Sequence, residues 1–325
     1  EGESEIMFYD DLTREPLDFE GVMKAREEEL EEFRKHDVYT KVPIEECYRV
    51  TKKGPIGVRW VDINKGDSAN PDYRSRLVAK EIKRDKREDL FAATPPLEAK
   101  KLLFSLALTE GIGYCKNDRL GGMTLDFIDV QRAYFHAKCK RDVYIKLPEE
   151  DMQEGMCAKL NKAMYGTRDA AQNWEEAYTE FMESIGFVRG RASPCIFWHK
   201  ERNMRAVIHG DDFTILGLAD NLDWFRERII ERFEVKFKAR LGPNRGDDKS
   251  VRILNRVVSW TAEGIRYEPD QRHADIIIGR LGIKGKKALG TPGVKPANIR
   301  DEEDDDEDLE ELPGMTRKPL LELLS

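Results

Sequence analysis

Three aspartates lie in two short segments whose flanks are apolar and strand-like. Asp129 lies in segment 127–134 (FIDVQRAY), and Asp211 and Asp212 lie in segment 208–213 (IHGDDF). A carboxylate there is costly to desolvate without a partner, and three together raise one another's pKa values unless cations sit between them. Mg²⁺ suits an all-oxygen site, and two such ions about 3.5–4 Å apart catalyse in-line phosphoryl transfer. The segments predict a nucleotidyl transferase with these aspartates as metal ligands.

Each of these features also has a plainer explanation. Gly-Asp-Asp is a common turn sequence, and Asp129 could cap the end of a strand. Tyr134 could stack under a sugar and exclude a 2′-hydroxyl, or it could belong to the core. Arg74 and Arg76 point to one side of a strand and could grip a triphosphate, or they could be solvated. The catalytic interpretation is favoured because a single aspartate is followed by a pair of aspartates in this order, and because both segments have apolar, strand-like flanks.

The elements that position the aspartates follow from hydrophobic periodicity. A strand over 123–130 carries Asp129, and strands 204–208 and 213–216 form a hairpin in which Gly210 supplies the turn. The order of these elements along the chain predicts an α+β fold with helices on one face of a sheet. That order is strand, helix, strand, helix, hairpin, helix. The other predicted elements are strands at 38–42, 57–63 and 74–80 and helices at 17–36, 94–109, 174–185, 220–233 and 271–281.

Two of the predicted helices have an identifiable apolar face. In the first, Thr94 is expected to be the N-cap, and Leu102, Leu103, Leu106 and Ala107 are expected to share one face. The second ends at Gly186, and its core stripe consists of Trp174, Ala177, Tyr178, Phe181, Met182 and Ile185.

Composition narrows the class of protein. With 325 residues the chain can form two or three subdomains, and it contains no apolar run near the ~20 residues of a membrane span. The five cysteines lack a Cys-x-x-Cys pair, which argues against a zinc ribbon or a disulfide framework. The five histidines show no metal-ligand spacing. The N-terminus has neither an initiator Met nor a signal sequence, so we expect a piece of a longer chain.

Charge is segregated along the sequence. Residues 1–35 carry 13 acidic and 5 basic side chains, a net charge of −8, and residues 301–325 carry 11 acidic and 2 basic, a net charge of −9. Residues 36–300 carry 48 basic and 39 acidic, a net charge of +9, which suits a polyanionic partner. The acidic run 301–308 is expected to be disordered, either as a linker or as a decoy polyanion over the basic body.

A series of motifs resembles the reverse transcriptase of copia-type LTR retrotransposons. In chain order they are RSRLVAK at 74–80, FIDVQRAYFHA at 127–137, DVYIKLP at 142–148, KLNKAMYG at 159–166 and the Gly-Asp-Asp hairpin, with GTPG at 290–293 resembling the end of that domain. The resemblance covers about residues 16–296. It implies an RNA-directed DNA polymerase that uses two Mg²⁺ ions, with Mn²⁺ as a substitute.

The resemblance also implies a right-hand polymerase architecture with an antiparallel palm sheet. Its expected parts are an acidic helical lead-in (1–37), fingers (38–110), a palm with an inserted fingers segment (111–218), a thumb or connection region (219–296) and an acidic disordered tail (297–325) towards a missing RNase H domain.

Roles for individual residues follow from the same resemblance. Asp129, Asp211 and Asp212 are the implied catalytic metal ligands, and His209 and Gly210 are the implied contacts to the primer end. The implied nucleotide-binding residues are Arg74, Arg76, Val130, Ala133, Tyr134 as the steric gate, Tyr165 and Gly166.

The implied partners are an RNA or DNA template with its primer, dNTPs, and the integrase and RNase H domains of a Pol polyprotein, without a membrane. The implied location is a cytoplasmic retroelement particle, or the nucleus. No RNase H activity is expected from this chain.

Two departures from the family pattern leave an alternative open. His209-Gly210 replaces the usual Tyr-Val before the paired aspartates, and segment 168–171 (RDAA) replaces the usual Lys-Gln-Ser-Pro. A degenerate, inactive remnant that only binds nucleic acid is therefore the alternative function. A nucleotidyl cyclase is a weaker one, because the basic β-hairpin predicted from strands 57–63 and 74–80 and the segment around Tyr134 do not suit it.

Overall fold

The structure is a computed structural model that describes residues 7–67, 69–82, 92–118 and 120–285. The predicted acidic run 301–308 lies outside the described residues, as does the rest of segment 286–325. In chain order the elements are β1 (Phe8–Tyr9), β2 (Pro16–Leu17), α1 (Phe19–Lys35), β3 (Tyr39–Pro43), α2 (Ile44–Thr51), β4 (Val58–Asn64), β5 (Tyr73–Ala79), α3 (Leu97–Ala107), β6 (Thr124–Val130), β7 (Tyr144–Ile145), β8 (Met156–Leu160), α4 (Ala170–Ser184), β9 (Val188–Arg189), β10 (Ile196–His199), β11 (Met204–His209), β12 (Asp212–Gly217), α5 (Ala219–Arg232), β13 (Val235–Leu241), β14 (Ser250–Ile253), β15 (Arg256–Trp260), β16 (Ile265–Pro269) and α6 (Gln271–Arg280).

A six-stranded antiparallel sheet carries the predicted aspartates. Its strand order is β13-β6-β12-β11-β10-β9. Strand β6 therefore pairs with β12 on one side and with β13 on the other, and a register shift between Phe237 and Ala239 interrupts the β13 pairing. The mixed α/β architecture with an antiparallel sheet confirms the predicted fold class at this level.

Helices α4 and α5 pack together against one face of this sheet. Trp174, Phe181 and Phe225 are buried with Ile128 and Phe213 in a single core. Burying such aromatic side chains contributes strongly to stability, since each removes a large apolar area from water. The predicted stripe of the second helix is confirmed for Trp174, Ala177, Tyr178, Phe181 and Met182, which are all buried, whereas Ile185 is partly buried beside the core.

The N-terminal elements form a second core. Helix α1 begins where the Asp18 carboxylate accepts a hydrogen bond from the Gly21 amide at 2.7 Å, a standard N-cap. Strands β3, β8 and β7 form one sheet and β4 pairs with β5 in the predicted basic hairpin. Phe33, Leu77 and Phe135 are buried between these elements.

Helix α3 differs from its predicted form. It begins at Leu97, and Pro96 is the N-cap without a side-chain capping bond, so the prediction of Thr94 as N-cap was wrong. Leu103 and Ala107 are buried as expected, but Leu102 is 56% exposed. The buried side of α3 consists of Ala99, Leu103, Phe104 and Ala107, and the helical repeat of 3.6 residues per turn places Leu102 away from the centre of that side.

Contacts divide the chain into two compact units. The described residues within 7–251 and 259–266 form the first unit, and those within 252–258 and 267–285 form the second. In the second unit α6 begins where the Asp270 carboxylate accepts a hydrogen bond from the Arg272 amide at 3.1 Å. None of the helices in the described ranges has the length and apolarity needed to cross a membrane.

Candidate metal and nucleotide site

The predicted aspartates meet where β6 ends beside the β11–β12 hairpin. Asp129 is directly opposite Asp212 in the register of β6 and β12, and the Val130 amide donates a hydrogen bond to the Asp211 carbonyl oxygen at 2.9 Å. The two strands are therefore neighbours in one sheet. Gly210 turns the hairpin with a φ of 63°, a conformation that glycine adopts without a Cβ penalty.

Two neighbours hold the hairpin turn in place. His209 is opposite Asp212 at the last pair of the hairpin, and the Trp174 indole nitrogen donates a hydrogen bond to the Gly210 carbonyl oxygen at 2.9 Å. Since Trp174 belongs to the core stripe of α4, this bond ties the position of the turn to the packed interior. The paired aspartates are thus presented by a rigid scaffold.

Lys238 neutralises two of the three carboxylates. Its Nζ lies 2.8 Å from Asp129 Oδ1 and 2.8 Å from Asp212 Oδ1. Partial burial opposes the charged ammonium, but the hydrogen bonds to both carboxylates raise the pKa of Lys238 above its ordinary value. Sequence reasoning missed this residue, because the bulged strand β13 shows neither regular alternation nor a motif.

Asp211 lies in a less favourable environment. Burial is the largest cause that raises the pKa of Asp211, and the charges of Asp212 and Asp129 raise it further. This is the behaviour expected of clustered carboxylates that lack sufficient positive charge. The cluster therefore favours binding of additional cationic charge.

The donor set fits a hard divalent cation. Asp129, Asp211 and Asp212 provide carboxylate oxygens, the ligands that Mg²⁺ prefers, and the Lys238 ammonium already occupies a position between two of them. As placed, the three side chains do not bring one oxygen each within 4.8 Å of one another. Coordination of one ion by all three carboxylates therefore requires movement of at least one of these side chains.

A second lysine lies beneath the hairpin. Lys100 of α3 is 4% exposed, and its Nζ has no hydrogen-bond partner among the residues that the structure describes. Burial lowers the pKa of Lys100, with Lys238 adding to the effect and Asp212 opposing it. Burial and the charge of Lys100 lower the pKa of His209. No sequence signal singles out Lys100, because it lies within an otherwise ordinary helix.

A cavity of about 420 Å³ adjoins the carboxylates. Arg74 and Arg76 line it from β5, and Asp129 and Asp211 line it from the sheet. The two arginines are exposed while Ser75 between them is buried, which confirms that they share one face of the strand. Lys236, Val130 and Tyr165 also line the cavity, so the predicted basic and acidic residues are brought together.

The two predicted aromatic residues lie against each other. The rings of Tyr134 and Tyr165 are 4.9 Å apart in an edge-to-face arrangement, and the Arg76 guanidinium lies 4.9 Å from the Tyr165 ring centre. Such a cation–π contact can fix a guanidinium beside a ligand site. Tyr134 is partly buried and is not among the residues that line the cavity.

Gly166 and Ala133 have structural roles in this arrangement. Gly166 adopts a φ of 82°, and a Cβ there would clash with the Ala79 carbonyl oxygen. The neighbouring Tyr165 carbonyl accepts a hydrogen bond from the Ala79 amide at 2.8 Å, and Ala133 is buried. The close approach at Gly166 and the hydrogen bond to Tyr165 hold the loop that carries Tyr165 against β5.

Comparison with known proteins identifies the family of the chain. A family model described as reverse transcriptase (RNA-dependent DNA polymerase) matches residues 45–243. The chain is 24% identical over 284 residues to the retrovirus-related Pol polyprotein from transposon TNT 1-94 of Nicotiana tabacum, which covers 83% of this chain and 20% of that polyprotein.

Two further relatives match shorter stretches. Identity is 25% over 194 residues to the retrovirus-related Pol polyprotein from transposon RE1 of Arabidopsis thaliana, covering 56% of this chain and 12% of that protein. Identity is 24% over 115 residues to the transposon Ty1-DR4 Gag-Pol polyprotein of Saccharomyces cerevisiae, covering 35% of this chain and 7% of that protein. The chain thus spans a fifth or less of the length of these relatives. Because the family match covers more than half of the chain, the chain belongs to the reverse transcriptase (RNA-dependent DNA polymerase) family, in its copia-type branch.

Proposed function

We propose that this chain is an RNA-directed DNA polymerase whose chemical centre is the group Asp129, Asp211 and Asp212. The observation that carries the proposal is the cross-strand placement of Asp129 opposite Asp212, beside a cavity that Arg74 and Arg76 line. Carboxylates that can bind a metal ion and guanidinium groups that can bind phosphate line the same cavity. This is the pairing that nucleotidyl transfer from a triphosphate requires.

The three aspartates are the proposed ligands of divalent metal, on which the reverse transcriptase family generally depends. Mg²⁺ bound there would activate the primer 3′-hydroxyl and stabilise the leaving pyrophosphate. Asp129 is fixed by its strand and Asp211 by the Val130 amide that holds its backbone. Asp212 acts as the weaker ligand, and Mn²⁺ is the expected substitute metal.

The incoming dNTP lies in the cavity, in this proposal. Arg74 and Arg76 bind its phosphates with bidentate hydrogen bonds. Tyr165 forms an aromatic wall of the cavity with the Arg76 guanidinium 4.9 Å from its ring centre, and Tyr134 packs behind Tyr165. Tyr134 excludes the 2′-hydroxyl of a ribonucleotide, and Val130, Ala133 and Gly166 shape the backbone around the sugar.

The primer end approaches from the hairpin. His209 and Gly210 are the proposed contacts to the terminal nucleotide, since they lead directly into the two aspartates. The Trp174 hydrogen bond to Gly210 fixes the turn at 2.9 Å. Positioning of this kind is the main contribution of a protein to phosphoryl transfer.

The proposal includes the right-hand architecture. Residues 38–110 act as fingers, 111–218 mainly as palm and 219–296 as the thumb or connection, with 1–37 as the lead-in and 297–325 as an acidic tail. The buried cores around Phe135 and around Trp174 are consistent with fingers and palm respectively. The proposed partners are a primed RNA or DNA template, dNTPs and the neighbouring domains of a Pol polyprotein.

Primer extension tests the proposal. The full chain, poly(rA)/oligo(dT), dTTP and Mg²⁺ should give extended primer, and Asp211→Asn should abolish extension while it leaves the circular dichroism spectrum unchanged. Asp223→Asn, which alters an exposed carboxylate on α5, is the matched control and should extend normally. A folded wild-type chain that binds the duplex without extending it would instead support a nucleic-acid-binding remnant.

A further inference from the structure

One residue cluster outside the polymerase site joins an imidazole to two carboxylates. His36 Nε2 lies 3.4 Å from Glu32 Oε2 and 3.3 Å from Glu234 Oε2, and one ligand atom from each residue lies within 4.8 Å of the others. Among the residues that the structure describes, no other group of histidine, cysteine or acidic side chains meets this spacing. We infer that Glu32, His36 and Glu234 form a second metal site, suited to Zn²⁺ or a chemically similar transition-metal ion.

The fold brings these ligands together from two distant segments of the chain. Glu32 and His36 are four residues apart at the C-terminal end of α1, so they lie on one face of the helix. Glu234 directly precedes β13. Sequence inspection found no metal-ligand spacing among the histidines because the third ligand lies almost two hundred residues away and is a glutamate.

The donor atoms match the geometry of zinc. Ligands at about 2.0–2.2 Å from a tetrahedral ion are separated by roughly 3.3–3.5 Å, which agrees with both distances from His36 Nε2. The imidazole selects a transition metal over Mg²⁺ or Ca²⁺, which prefer oxygen. Two carboxylates and a neutral imidazole would balance a divalent charge, and water would complete the coordination.

The Nε2 atom of His36 lies close to two carboxylates without forming a hydrogen bond in the described part of the chain. His36 Nε2 is buried and makes no hydrogen bond within the described part of the chain, although both carboxylates lie within ion-pair distance. The distances are short enough for a hydrogen bond but the angles are not suitable. A buried polar atom without a partner is costly, and a shared metal ion would satisfy it together with the two carboxylates.

Two cations already compensate part of the negative charge. Lys35 Nζ lies 3.0 Å from Glu234 Oε1, and Arg132 Nη1 lies 3.6 Å from Glu32 Oε2. The Lys35 side chain is 53% exposed and can move into water when a metal arrives. Arg132 is more enclosed and also lies 3.5 Å from Glu29, so it remains as a neighbour of the site.

Metal binding here would connect the N-terminal helix to the catalytic sheet. The Gln131 amide donates a hydrogen bond to the Glu234 carbonyl oxygen at 2.8 Å, and Gln131 is two residues beyond Asp129. An ion held by α1 and Glu234 would therefore fasten α1 beside the end of β6. Because the ion binds the folded chain, it should raise the melting temperature, by an amount that grows with the free-ion concentration.

Cobalt substitution tests the inference. Co²⁺ is added to the full chain after removal of metal by a chelator, and the visible absorption of tetrahedral cobalt is followed during the titration. We expect an intense band that saturates at one equivalent and is removed by Zn²⁺. Zn²⁺ alone should raise the melting temperature of the same protein.

Three variants define the site. His36→Gln should abolish the band and lower the affinity for Co²⁺ by more than the ~10–100-fold typical of losing a residue that merely supports a ligand. Glu31→Gln, an exposed neighbour on α1, is the matched control and should keep the band. Asp129→Asn should also keep it, which separates this site from the polymerase site and makes the result independent of polymerase activity.

The result that overturns the inference is equally clear. A folded wild-type chain that shows neither the cobalt band nor a Zn²⁺-dependent melting shift has no such site, and the cluster is then only a set of contacts between His36 and the two glutamates. A band that persists in His36→Gln would place the cobalt elsewhere and overturn it as well.

Discussion

Strand β6 carries two aspartates three residues apart whose charges are balanced in different ways. Asp126 is fully buried, and Arg226 and Arg240 each donate two hydrogen bonds to it at 2.6–3.0 Å. Asp129 lies at the strand end with its side chain 26% exposed, and it shares the Lys238 ammonium with Asp212 at 2.8 Å. An odd separation places the two carboxylates on opposite faces of the sheet.

The difference separates a structural carboxylate from one that is available for chemistry. Two planar guanidiniums occupy the acceptor positions of Asp126 and leave little room for a metal ion. Lys238 instead brings one point charge on a flexible stem, which can move away when a divalent cation binds. Partial exposure and an exchangeable counter-ion, more than acidity itself, identify Asp129 as a candidate metal ligand.

The largest expected effect is on activity at Asp129. Asp129→Asn should lower single-nucleotide incorporation at least ~10³-fold, about 4 kcal/mol of transition-state stabilisation, because a metal ligand is lost. The free energy of unfolding should change by less than about 1 kcal/mol, as expected for a partly exposed ion pair. Rapid-quench incorporation and urea unfolding measure the two quantities, and a variant that keeps full activity would contradict the assignment.

Asp126 should show the reverse pattern. Asp126→Asn leaves two arginines without their shared carboxylate, so we expect the free energy of unfolding to fall by about 3–5 kcal/mol in urea denaturation. Incorporation per folded molecule should be retained. Asp223→Asn is the matched control, because Asp223 is an exposed partner of the same Arg240 and should cost less than about 1 kcal/mol. Equal losses in the two variants would show that burial of the ion pair is unimportant.

A smaller effect, on Mg²⁺ affinity, is expected from replacing Lys238, the cation shared by Asp129 and Asp212. Lys238→Met should increase the affinity for Mg²⁺ several-fold, because the ammonium no longer competes for Asp129 and Asp212. The measurement is the Mg²⁺-dependent rise in melting temperature of the full chain. Lys236→Met removes a charge from the same strand without an ion pair to these aspartates and should change the Mg²⁺ affinity less. The account is wrong on this point if Lys238→Met weakens Mg²⁺ binding.

The smallest effect concerns the pH dependence of stability at Asp211. Burial raises the pKa of Asp211 above its ordinary 3.8, so between 3.8 and that higher value the folded state binds more protons and loses stability as pH rises. Asp211→Asn removes this dependence. Without divalent metal, the variant should therefore be more stable than the wild type at neutral pH and equal to it below pH 3.8, as measured by urea unfolding across pH.

The sequence predicts most of what places Asp129 beside the hairpin. Apolar alternation identifies β6, Gly210 identifies the turn, and the stripe of α4 identifies the helix beneath them. These signals are local and strong, since each arises from burial of one face of an element. The pairing of β6 with β12 is not contained in these local signals, and the structure supplies it.

The sequence does not reveal which basic side chains neutralise Asp126 and Asp129. Lys238 and Arg240 lie on a bulged edge strand whose burial pattern is irregular. Arg226 lies on α5, which the sequence predicts as a helix at 220–233 without indicating the partner of this arginine. Asp126 and Asp129 look alike in the sequence TLDFIDV because the partners that distinguish them are about one hundred residues away. Charge compensation in this fold is a tertiary property.

Metal-directed cleavage tests the central claim most directly. Fe²⁺ replaces Mg²⁺ in the full chain carrying His36→Gln, which removes the proposed second metal site, and ascorbate with peroxide generates radicals at the bound iron. The account predicts backbone cuts near Asp129 and near Asp211, suppressed by excess Mg²⁺ and lost when Asp129→Asn is added. Cuts that are unchanged by Asp129→Asn, or that are absent from both segments, would contradict a metal site at the end of β6.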